Sequence, residues 1–228
     1  MPFNCAELFA RHFPFWDKLS EDEKKALCIQ TSFAEYGKGS NIHGNTGNCT
    51  GAILVKNGIL RAYMLSDEGK EITLYRLYPG DICMLSASCV IQSITFDVFV
   101  DAETKSEVYI INSGAFAKLM EENVYVENFA LKTATERFSE VMWAMQQILF
   151  MSFDRRLAVF ILEELAKDGG DTIRLTQEQV AKYMSSAREV VSRMLKYFST
   201  EGLVEVSRGG VKVLDMSRLK LIADKEGK

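Results

Sequence analysis

The sequence has no apolar run approaching the roughly 20 residues that a membrane span requires. Its N-terminus also lacks the charged start and apolar block of a signal peptide. We therefore expect a cytoplasmic protein with no membrane partner. The 228 residues, 47% of them apolar, are enough for two ordinary domains that each have a core.

Histidine and paired cysteines are also scarce. His12 and His43 are the only histidines, and neither lies in an H-x-H pattern, so a three-histidine metal site cannot be assembled. The five cysteines are an odd number without a C-x-x-C pair, which argues against a zinc site and a disulfide framework. We expect reduced thiols. No nucleophile with its base and no phosphate-gripping glycine loop is present, so we expect no catalytic residue, no metal and no enzyme activity.

The charge is unevenly distributed along the chain. The net charge is −4, but residues 153–228 carry 14 Lys and Arg against 12 Asp and Glu, whereas residues 1–152 carry 13 against 19. Only the C-terminal part is basic. An acidic sensor joined to a mildly basic part suits specific DNA binding, because local charge meets the phosphates.

The segment LTQEQVAKYMSSAREVVSRMLKYF, residues 175–198, predicts two short helices joined by a tight turn. Thr176 with Gln179, and Ser186 with Glu189, are two capping-box patterns ten residues apart, each typical of a helix start. Apolar residues at helical spacing in the second helix would face a core shared with the first. These residues are Val191, Met194, Leu195 and Phe198, opposite Val180 and Met184. The pattern is typical of a DNA-binding helix-turn-helix.

The polar face of the second helix is the predicted DNA-reading surface, because long donors near a helix start can meet base edges and an acid can accept from cytosine. A surface helix of purely structural role would also be charged, and capping alone would explain Glu189. We assign the DNA contacts to Arg188, Glu189, Ser192, Arg193 and Lys196, together with Thr176 and Gln177.

Apolar-alternating runs on either side of SRGG, at Leu203–Val206 and Val211–Leu214, predict a hairpin that forms a wing. With this wing, the sequence resembles the CRP/FNR family of bacterial transcription regulators. The R-E-x-x-x-R set of that family and the E-x-x-S-R set of its FNR branch both occur in REVVSR, residues 188–193. Two positions depart from the family pattern: Ser185 stands where the turn usually has glycine, and Ala187 replaces a phosphate-contacting serine of some relatives.

Short alternating runs broken by Gly, Asn and Asp extend from Gln30 to Phe116 and predict a compact β-roll or barrel. A helical cap precedes it, with a helix predicted from Ser20 to Cys28. Two strands flank Asn57–Gly58, and the stretch AILVKNGILRAYMLSDEGKEITLYRLYPGD resembles the cyclic-nucleotide-binding-like roll of the same family. Such rolls also occur in cupin metalloenzymes, but the metal ligands of that alternative are missing.

Residues 124–151 contain no Gly or Pro and predict one long helix about 40 Å long. Its apolar residues are spaced 3, 4, 3, 4, 3, which is typical of a coiled-coil seam and predicts homodimerisation; an ordinary buried helix is the alternative. The seam residues are Leu131, Ala134, Phe138, Val141, Met145 and Ile148. A second row, Phe129, Met142 and Leu149, would pack on the roll. A hinge is expected between Met151 and Phe153.

The effector is not evident from the sequence. Cyclic-AMP-binding relatives have a glutamate and an Arg-Ser pair after the Gly-Asp turn, whereas residues 82–96 contain neither glutamate nor arginine, so we expect no cyclic AMP. Cys5 and Cys28 alone cannot hold the iron–sulfur cluster of FNR, so we expect no cluster. The candidate effector pocket consists of Cys83, Met84, Leu85, Ser86, Ser88 and Cys89.

Three interpretations of Cys83 and Cys89 remain open. They are small buried residues beside an unknown small-molecule pocket, a stress-oxidised thiol pair, or, at Cys83, a haem ligand. Haem is considered because GD-x-C-M-x-S-x-x-C, residues 80–89, resembles the segment of the CO-sensing haem regulators of the family, which also use an N-terminal proline, here Pro2. The histidine of that site is replaced by Leu85, so a complete copy is excluded.

The sequence therefore predicts an α+β chain with a cyclic-nucleotide-binding-like β-roll (jelly roll), a long dimerisation helix and a C-terminal winged helix-turn-helix. The expected domains are residues 1–121, 122–151 and 152–228. We expect a homodimeric regulator, an activator or a repressor, that binds a palindromic promoter site in double-stranded DNA, contacts RNA polymerase, and responds to a small-molecule, redox or haem signal. The alternative is a helix-turn-helix adaptor that does not bind DNA or, less favoured, a cupin-like enzyme.

Overall fold

The computed structural model describes residues 5–44, 50–87, 97–208 and 210–224. The chain divides into two compact units, one formed by Met1–Gly69 with Leu74–Val141 and the other by Lys70–Thr73 with Met142–Lys228. None of the helices in these ranges has an apolar stretch long enough to cross a membrane. The N-terminal unit is dominated by β-sheet and the C-terminal unit by helices, as the sequence predicted.

The predicted helices are present, together with two that were not predicted. The helices are α1 (Cys5–His12), α2 (Glu21–Ile29), α3 (Ser113–Glu122), α4 (Val124–Phe150), α5 (Phe153–Asp168), α6 (Gln177–Tyr183), α7 (Arg188–Thr200) and α8 (Met216–Asp224). The sequence did not predict α3 or α8, and α3 begins at Ser113, within the stretch that was expected to belong to the β-roll. A capping box at Ser20 begins α2, where the predicted helix starts. The interruption between α4 and α5 lies at the residues expected to form a hinge. Gly169, in the left-handed conformation, ends α5.

Two sheets form the roll of the N-terminal unit. Its strands are β1 (Thr31–Tyr36), β2 (Asn41–His43), β3 (Ala52–Asn57), β4 (Leu60–Leu65), β5 (Glu71–Leu77), β6 (Ile82–Cys83), β7 (Phe99–Ala102) and β8 (Ser106–Ile111). One sheet has the order β1-β8-β3-β6 and the other β2-β7-β4-β5. The strands on either side of Asn57–Gly58 are confirmed, but they belong to different sheets. The Asn57–Gly58 turn therefore connects the two layers of the roll.

The roll has two clusters of buried residues. The first, which we call the helix-side core, joins α1 and α2 to one sheet and to the start of α4; it includes Phe9, Phe13, Phe15, Trp16, Leu27, Met84, Phe116, Val126 and Ala130. The second, the sheet-side core, lies among the strands and includes Ile53, Leu60, Tyr75, Leu77, Cys83, Val100 and Val108. Burial of these aromatic and branched side chains is the main force that stabilises the roll.

A disulfide joins Cys5 to Cys28, which contradicts the expectation that the thiols are reduced. The two residues are 23 positions apart, but α1 and α2 both pack against the helix-side core, and their Cα atoms lie 5.7 Å apart. That separation is within the usual range for a disulfide. Spacing along the sequence could not reveal the pair because the helices meet only through tertiary packing. Among the described cysteines, Cys83 is free and fully buried.

The C-terminal unit contains α5 to α8 around a small sheet. Strands β9 (Thr172–Ile173), β10 (Val204–Ser207) and β11 (Gly210–Val213) pair antiparallel in the order β10-β11-β9. The hairpin predicted around SRGG is therefore confirmed. One core unites α5, α6, α7 and the wing. The fold fixes α7 on the outside of this core, where one face remains open to solvent.

Candidate nucleic-acid interface

The first helix of the helix-turn-helix begins at the predicted cap. The amide of Gln179 donates to Thr176 Oγ1 at 3.2 Å, and the amide of Thr176 donates to Gln179 Oε1 at 2.9 Å. Both orphan amides at the start of α6 are thereby satisfied, as a capping box requires. Val180 and Met184 then enter the core of the unit, as their spacing indicated. The exposed Thr176 and the half-buried Gln177 lie at the N-terminal end of α6.

The turn differs from the prediction at Ser186. Ser185 has a φ of 51°, the left-handed value that glycine usually adopts in this motif, so the serine keeps the family's turn conformation without a glycine. The amide of Ser186 donates to the carbonyl of Ala181 at 2.9 Å, which closes α6. The expected Ser186–Glu189 capping box does not form: α7 begins at Arg188, and its N-cap, Ala187, has no side-chain bond to an amide.

Arg156 of α5 stabilises this turn by a hydrogen bond, a role that the sequence did not indicate. Its guanidinium donates to the carbonyl of Met184 at 2.5 Å, next to the left-handed Ser185. Burial lowers the pKa of Arg156 from its ordinary value, but arginine stays charged at every physiological pH. A charged donor on this carbonyl stabilises the conformation that orients α7. The sequence could not predict this hydrogen bond, because an arginine on an amphipathic helix is usually exposed to solvent.

The two faces of α7 have opposite character. Val191, Leu195 and Phe198 are fully buried, and Met194 packs at the edge of the same core. On the other side, Arg188, Glu189, Arg193 and Lys196 are exposed, while Ser192 is half-buried. At about 100° per residue these five positions span an arc of about 140° on the helix. The predicted DNA-reading residues thus lie side by side on one surface, which we call the recognition arc.

The charged side chains of the recognition arc are not engaged by other residues. Across the described part of the chain, none of Arg188, Glu189, Arg193 and Lys196 forms a side-chain hydrogen bond or an ion pair. This contrasts with Arg218, which pairs with Glu201, and Lys212, which pairs with Asp171. Three cations and one carboxylate are therefore free to bind an external partner. The exposed Arg208 at the wing tip offers a further cation that the sequence analysis passed over.

The long helix α4 has an exposed face and a face that packs on the roll. Their residues differ in part from the two rows that the sequence predicted. Its seam residues Leu131, Phe138, Met145 and Ile148 are 41–64% exposed, whereas Ala134 and Val141 are half-buried. Val141 packs against the sheet-side core and so is not a purely outward seam residue. The second row was wrong in part: Phe129 packs on the helix-side core, but Met142 and Leu149 are exposed. The residues that face the roll are Val126, Ala130, Thr133, Arg137 and Val141.

The described candidate effector residues, 83–86, do not line one common pocket. Cys83 belongs to the sheet-side core, whereas Ile82, its neighbour in β6, and Met84, just after the strand, belong to the helix-side core. Leu85 is half-buried against the sheet-side core. Ser86 is buried and donates to the carbonyls of Gly51 and Cys83 at 2.7 and 3.0 Å, a structural role. Pro2, Ser88 and Cys89 lie outside the described residues.

Cys83 contacts a tyrosine that is linked to α4. The Cys83 sulfur lies 3.9 Å from the hydroxyl oxygen of Tyr75, and burial together with this thiol raises the pKa of Tyr75 well above its ordinary value. The guanidinium of Arg137 lies 5.0 Å from the Tyr75 ring centroid and 3.4 Å from a carboxylate oxygen of Asp81. Arg137 also donates to both carboxylate oxygens of Glu140 at 2.9 Å.

Arg137 is thus a link between the roll and α4 that sequence analysis missed. Burial would lower the pKa of Arg137, but the Glu140 hydrogen bond and the charges of Glu140 and Asp81 raise it above its ordinary value. Its Nε atom is buried without a hydrogen-bond partner among the described residues. A heptad pattern could not identify it, because a charged residue between two seam positions is usually solvent-exposed.

Comparisons with known proteins agree with this architecture. The family model for a Crp-like helix-turn-helix domain matches residues 155–222. The nitrogen fixation regulation protein FixK of Bradyrhizobium diazoefficiens is 24% identical over 217 residues, which cover 87% of this chain and 90% of FixK. The protein named "Probable transcriptional regulator flp" of Lacticaseibacillus casei is 24% identical over 212 residues, covering 89% and 92% of the two chains.

A solved structure gives a stronger match. It is that of a transcriptional regulator assigned to the Crp/Fnr family from Eubacterium rectale, with 42% identity, a TM-score of 0.88, and coverage of 94% of this chain and all of that one. The recognition arc, the wing and the roll thus occur together in a chain whose relatives are transcription regulators. The protein belongs to the CRP/FNR family of transcription regulators and carries its helix-turn-helix DNA-binding domain.

Proposed function

We propose that the protein is a cytoplasmic homodimer that binds a palindromic promoter site and controls transcription by contact with RNA polymerase. The observation that carries the proposal is the recognition arc: three cations and one carboxylate are exposed on a rigid helix and have no partner among the described residues. Arginine donates in pairs to guanine O6 and N7, and glutamate accepts from cytosine N4. A structural surface would gain from pairing these charges internally, whereas a DNA-reading surface needs them free.

The proposed dimer would present two copies of α7 about one DNA turn, roughly 34 Å, apart. Because the sequence contains both family reading sets, the half-site is TTGAT-like or TGTGA-like, and Ser192 favours the former. Each base contact by Arg188, Glu189 or Arg193 would contribute about 1 to 3 kcal/mol of discrimination. Arg208 and Lys196 would supply charge to the phosphates, which fixes orientation without reading sequence.

The signal in the roll would act on α4 and thereby on the spacing of the two recognition helices. The packing of Cys83 between Tyr75 and the aliphatic sheet-side core favours a small buried residue over a haem ligand, since the described neighbours leave its thiol enclosed. Haem ligation is decided by reconstitution: a Soret band identical in wild type and Cys83→Ser would rule out thiolate ligation. The effector would then be a small molecule or a redox signal.

The test of DNA reading compares Arg193→Ala with a matched loss of charge. Lys220→Ala on α8 removes one exposed cation, without an ion-pair partner among the described residues, from a different helix of the same unit. Fluorescence anisotropy would measure binding to palindromes with either half-site and to a scrambled duplex. We expect Arg193→Ala to weaken specific binding by about 5- to 150-fold, the equivalent of 1 to 3 kcal/mol, and to weaken binding to the scrambled duplex much less.

Two outcomes would contradict the proposal. An equal loss on specific and scrambled DNA would mean that Arg193 only contacts phosphate. A wild-type protein with no preference for either palindrome, together with no effect of either substitution, would favour the adaptor alternative. Lys220→Ala should change both affinities by less than about threefold, because removal of one phosphate-type contact acts uniformly and weakly.

A further inference from the structure

The disulfide between Cys5 and Cys28 lies at the edge of the helix-side core. Cys5 is the first residue of α1, and Cys28 is the eighth residue of α2. Both side chains are half-buried and pack against the core rather than within it. This partial exposure distinguishes them from Cys83, whose thiol is fully enclosed. A small oxidant could therefore reach the pair.

A protein that binds chromosomal DNA works in a compartment where thiols are kept reduced, and disulfides there are usually transient and redox-sensing. This step rests on the proposed function, since in a secreted protein the same bond could be a permanent structural disulfide. We propose that Cys5 and Cys28 are a modification site, a dithiol that peroxide converts to the disulfide, and that this conversion fixes the packing of the first turns of α4.

The chemistry assigns different roles to the two sulfurs. Cys5 is at the N-terminus of α1, where the helix dipole stabilises a thiolate. The Cys5 thiolate attacks one peroxide oxygen, the O–O bond breaks, and the hydroxide that leaves takes a proton to become water; Cys5 becomes a sulfenic acid. The Cys28 thiol then attacks the Cys5 sulfur and displaces a second water. Two thiols and one hydrogen peroxide thus give one disulfide and two waters, and a thiol reductant reverses the change.

The segment that the disulfide closes is in direct contact with α4. Between Cys5 and Cys28, the rings of Phe13 and Phe15 lie 5.6 and 5.1 Å from the ring of Phe129, centroid to centroid. These rings meet edge to face, the arrangement that aromatic pairs prefer. Val126 and Ala130, which flank Phe129, are fully buried in the same core. The disulfide therefore ties α1 to α2 across the side chains against which α4 is seated.

The oxidation state of Cys5 and Cys28 should consequently change how readily the first turns of α4 open. In the disulfide form, the ends of the aromatic segment are fixed, and Phe129 packs against the stacked rings of Phe13 and Phe15. In the dithiol form the covalent link is absent, and the buried side chain of Phe9 is the main apolar contact that keeps α1 on the core, so the segment can open more readily. Local opening of this kind is what amide hydrogen exchange measures. The effect requires no DNA and can be measured on the free protein.

The test uses the full-length protein, reduced with dithiothreitol, freed of reductant and treated with one to ten equivalents of hydrogen peroxide. Free thiols are then alkylated and the tryptic peptides are mapped by mass spectrometry. We expect the peptides of residues 1–11 and 26–38 to become linked near one equivalent, while Cys83 is alkylated only after denaturation. Hydrogen exchange of residues 124–133 should be at least fivefold slower in the oxidised than in the reduced protein.

Variants test the assignment. Cys5→Ser with Cys28→Ser should abolish both the linked peptide and the peroxide effect on exchange, whereas Cys49→Ser, a matched removal of another cysteine, should leave both unchanged. If the double variant does not fold, the reduced and oxidised wild-type protein still provide the comparison. For the wild type we also expect DNA affinity to change at least fivefold between the two states.

The outcomes separate this inference from the proposed function. Absence of the linked peptide, or a linked peptide with identical exchange of residues 124–133 in both states, would overturn the redox inference. A change in exchange without any DNA binding in either state would sustain the dithiol site and contradict the DNA-binding proposal. Specific DNA binding of equal strength in both states would mean that the disulfide does not control the regulator.

Discussion

The exposed seam of α4 gives the sharpest prediction about assembly. Phe138 is 64% exposed in the single chain and Met145 is 49% exposed, on a helix whose apolar spacing favours self-association. Replacing Phe138 with alanine removes apolar surface that a partner helix would cover. Replacing Met145 with glutamate would in addition bury a charge without a partner. Both changes should favour monomers.

The loss of dimerisation free energy expected for Phe138→Ala follows from the exposed area of the side chain. A phenylalanine side chain has about 200 Å² of surface, so its exposed 64% is about 130 Å². At about 25 cal/mol per Å², full burial contributes about 3 kcal/mol per protomer, and a two-fold interface counts it twice. Phe138→Ala should therefore cost at most about 6 kcal/mol of dimerisation free energy. Even half of this value weakens the dimer by about two orders of magnitude.

Sedimentation equilibrium between about 0.1 and 100 µM would measure this change. Gln146→Glu is the matched control for Met145→Glu, because it places the same charge on the next residue, outside the seam positions. We expect the control to remain dimeric while Phe138→Ala and Met145→Glu dissociate and lose palindrome binding. A dimer of unchanged affinity in both seam variants would place the interface elsewhere and refute the argument.

Two further predictions concern stability. Thr176→Ala removes the N-cap of α6 and should lower the free energy of unfolding of the C-terminal unit by about 1 kcal/mol in urea denaturation, whereas Thr200→Ala at the far end of α7 should have little effect. Burial lowers the pKa of His43, against the opposing charge of Asp97, so the folded protein binds fewer protons there than the unfolded chain. The contribution of His43 to the free energy of unfolding is complete above its ordinary pKa near 6.5 and is lost as the pH falls below it. Urea denaturation between pH 7.5 and 5.5 should show this loss in the wild type but not in His43→Gln.

Local sequence signals predicted the elements that depend on neighbouring residues. Thr176 and Gln179 form the expected capping box because both partners lie within one helical turn. The Ser186–Glu189 box failed although its pattern is equally good. The amide of Ser186 is already bonded to Ala181 as part of the left-handed turn, and this bond moves the helix start to Arg188. Two local patterns competed for the same amide, and the sequence does not show which one prevails.

Non-local packing was beyond the reach of sequence patterns. The alternation along α4 identified its outward face, but placed Met142 and Leu149 on the roll, which instead receives Arg137 and Val141. Successive residues of a helix are 100° apart, so an error of one or two positions rotates a predicted stripe to another face. The Cys5–Cys28 pair likewise depends on two helices meeting on a shared core.

The arrangement of α4 suggests why one helix can serve both sensing and assembly. Arg137 faces Tyr75 and Asp81 of the roll, while Phe138, the next residue, faces outward on the seam. Because the helix is a rigid unit over these turns, a rotation that improves one set of contacts must displace the other. The roll can therefore influence the seam without any loop between them. In the proposed dimer, a ligand or an oxidant that prefers one packing of α4 would thereby change the geometry of the two subunits.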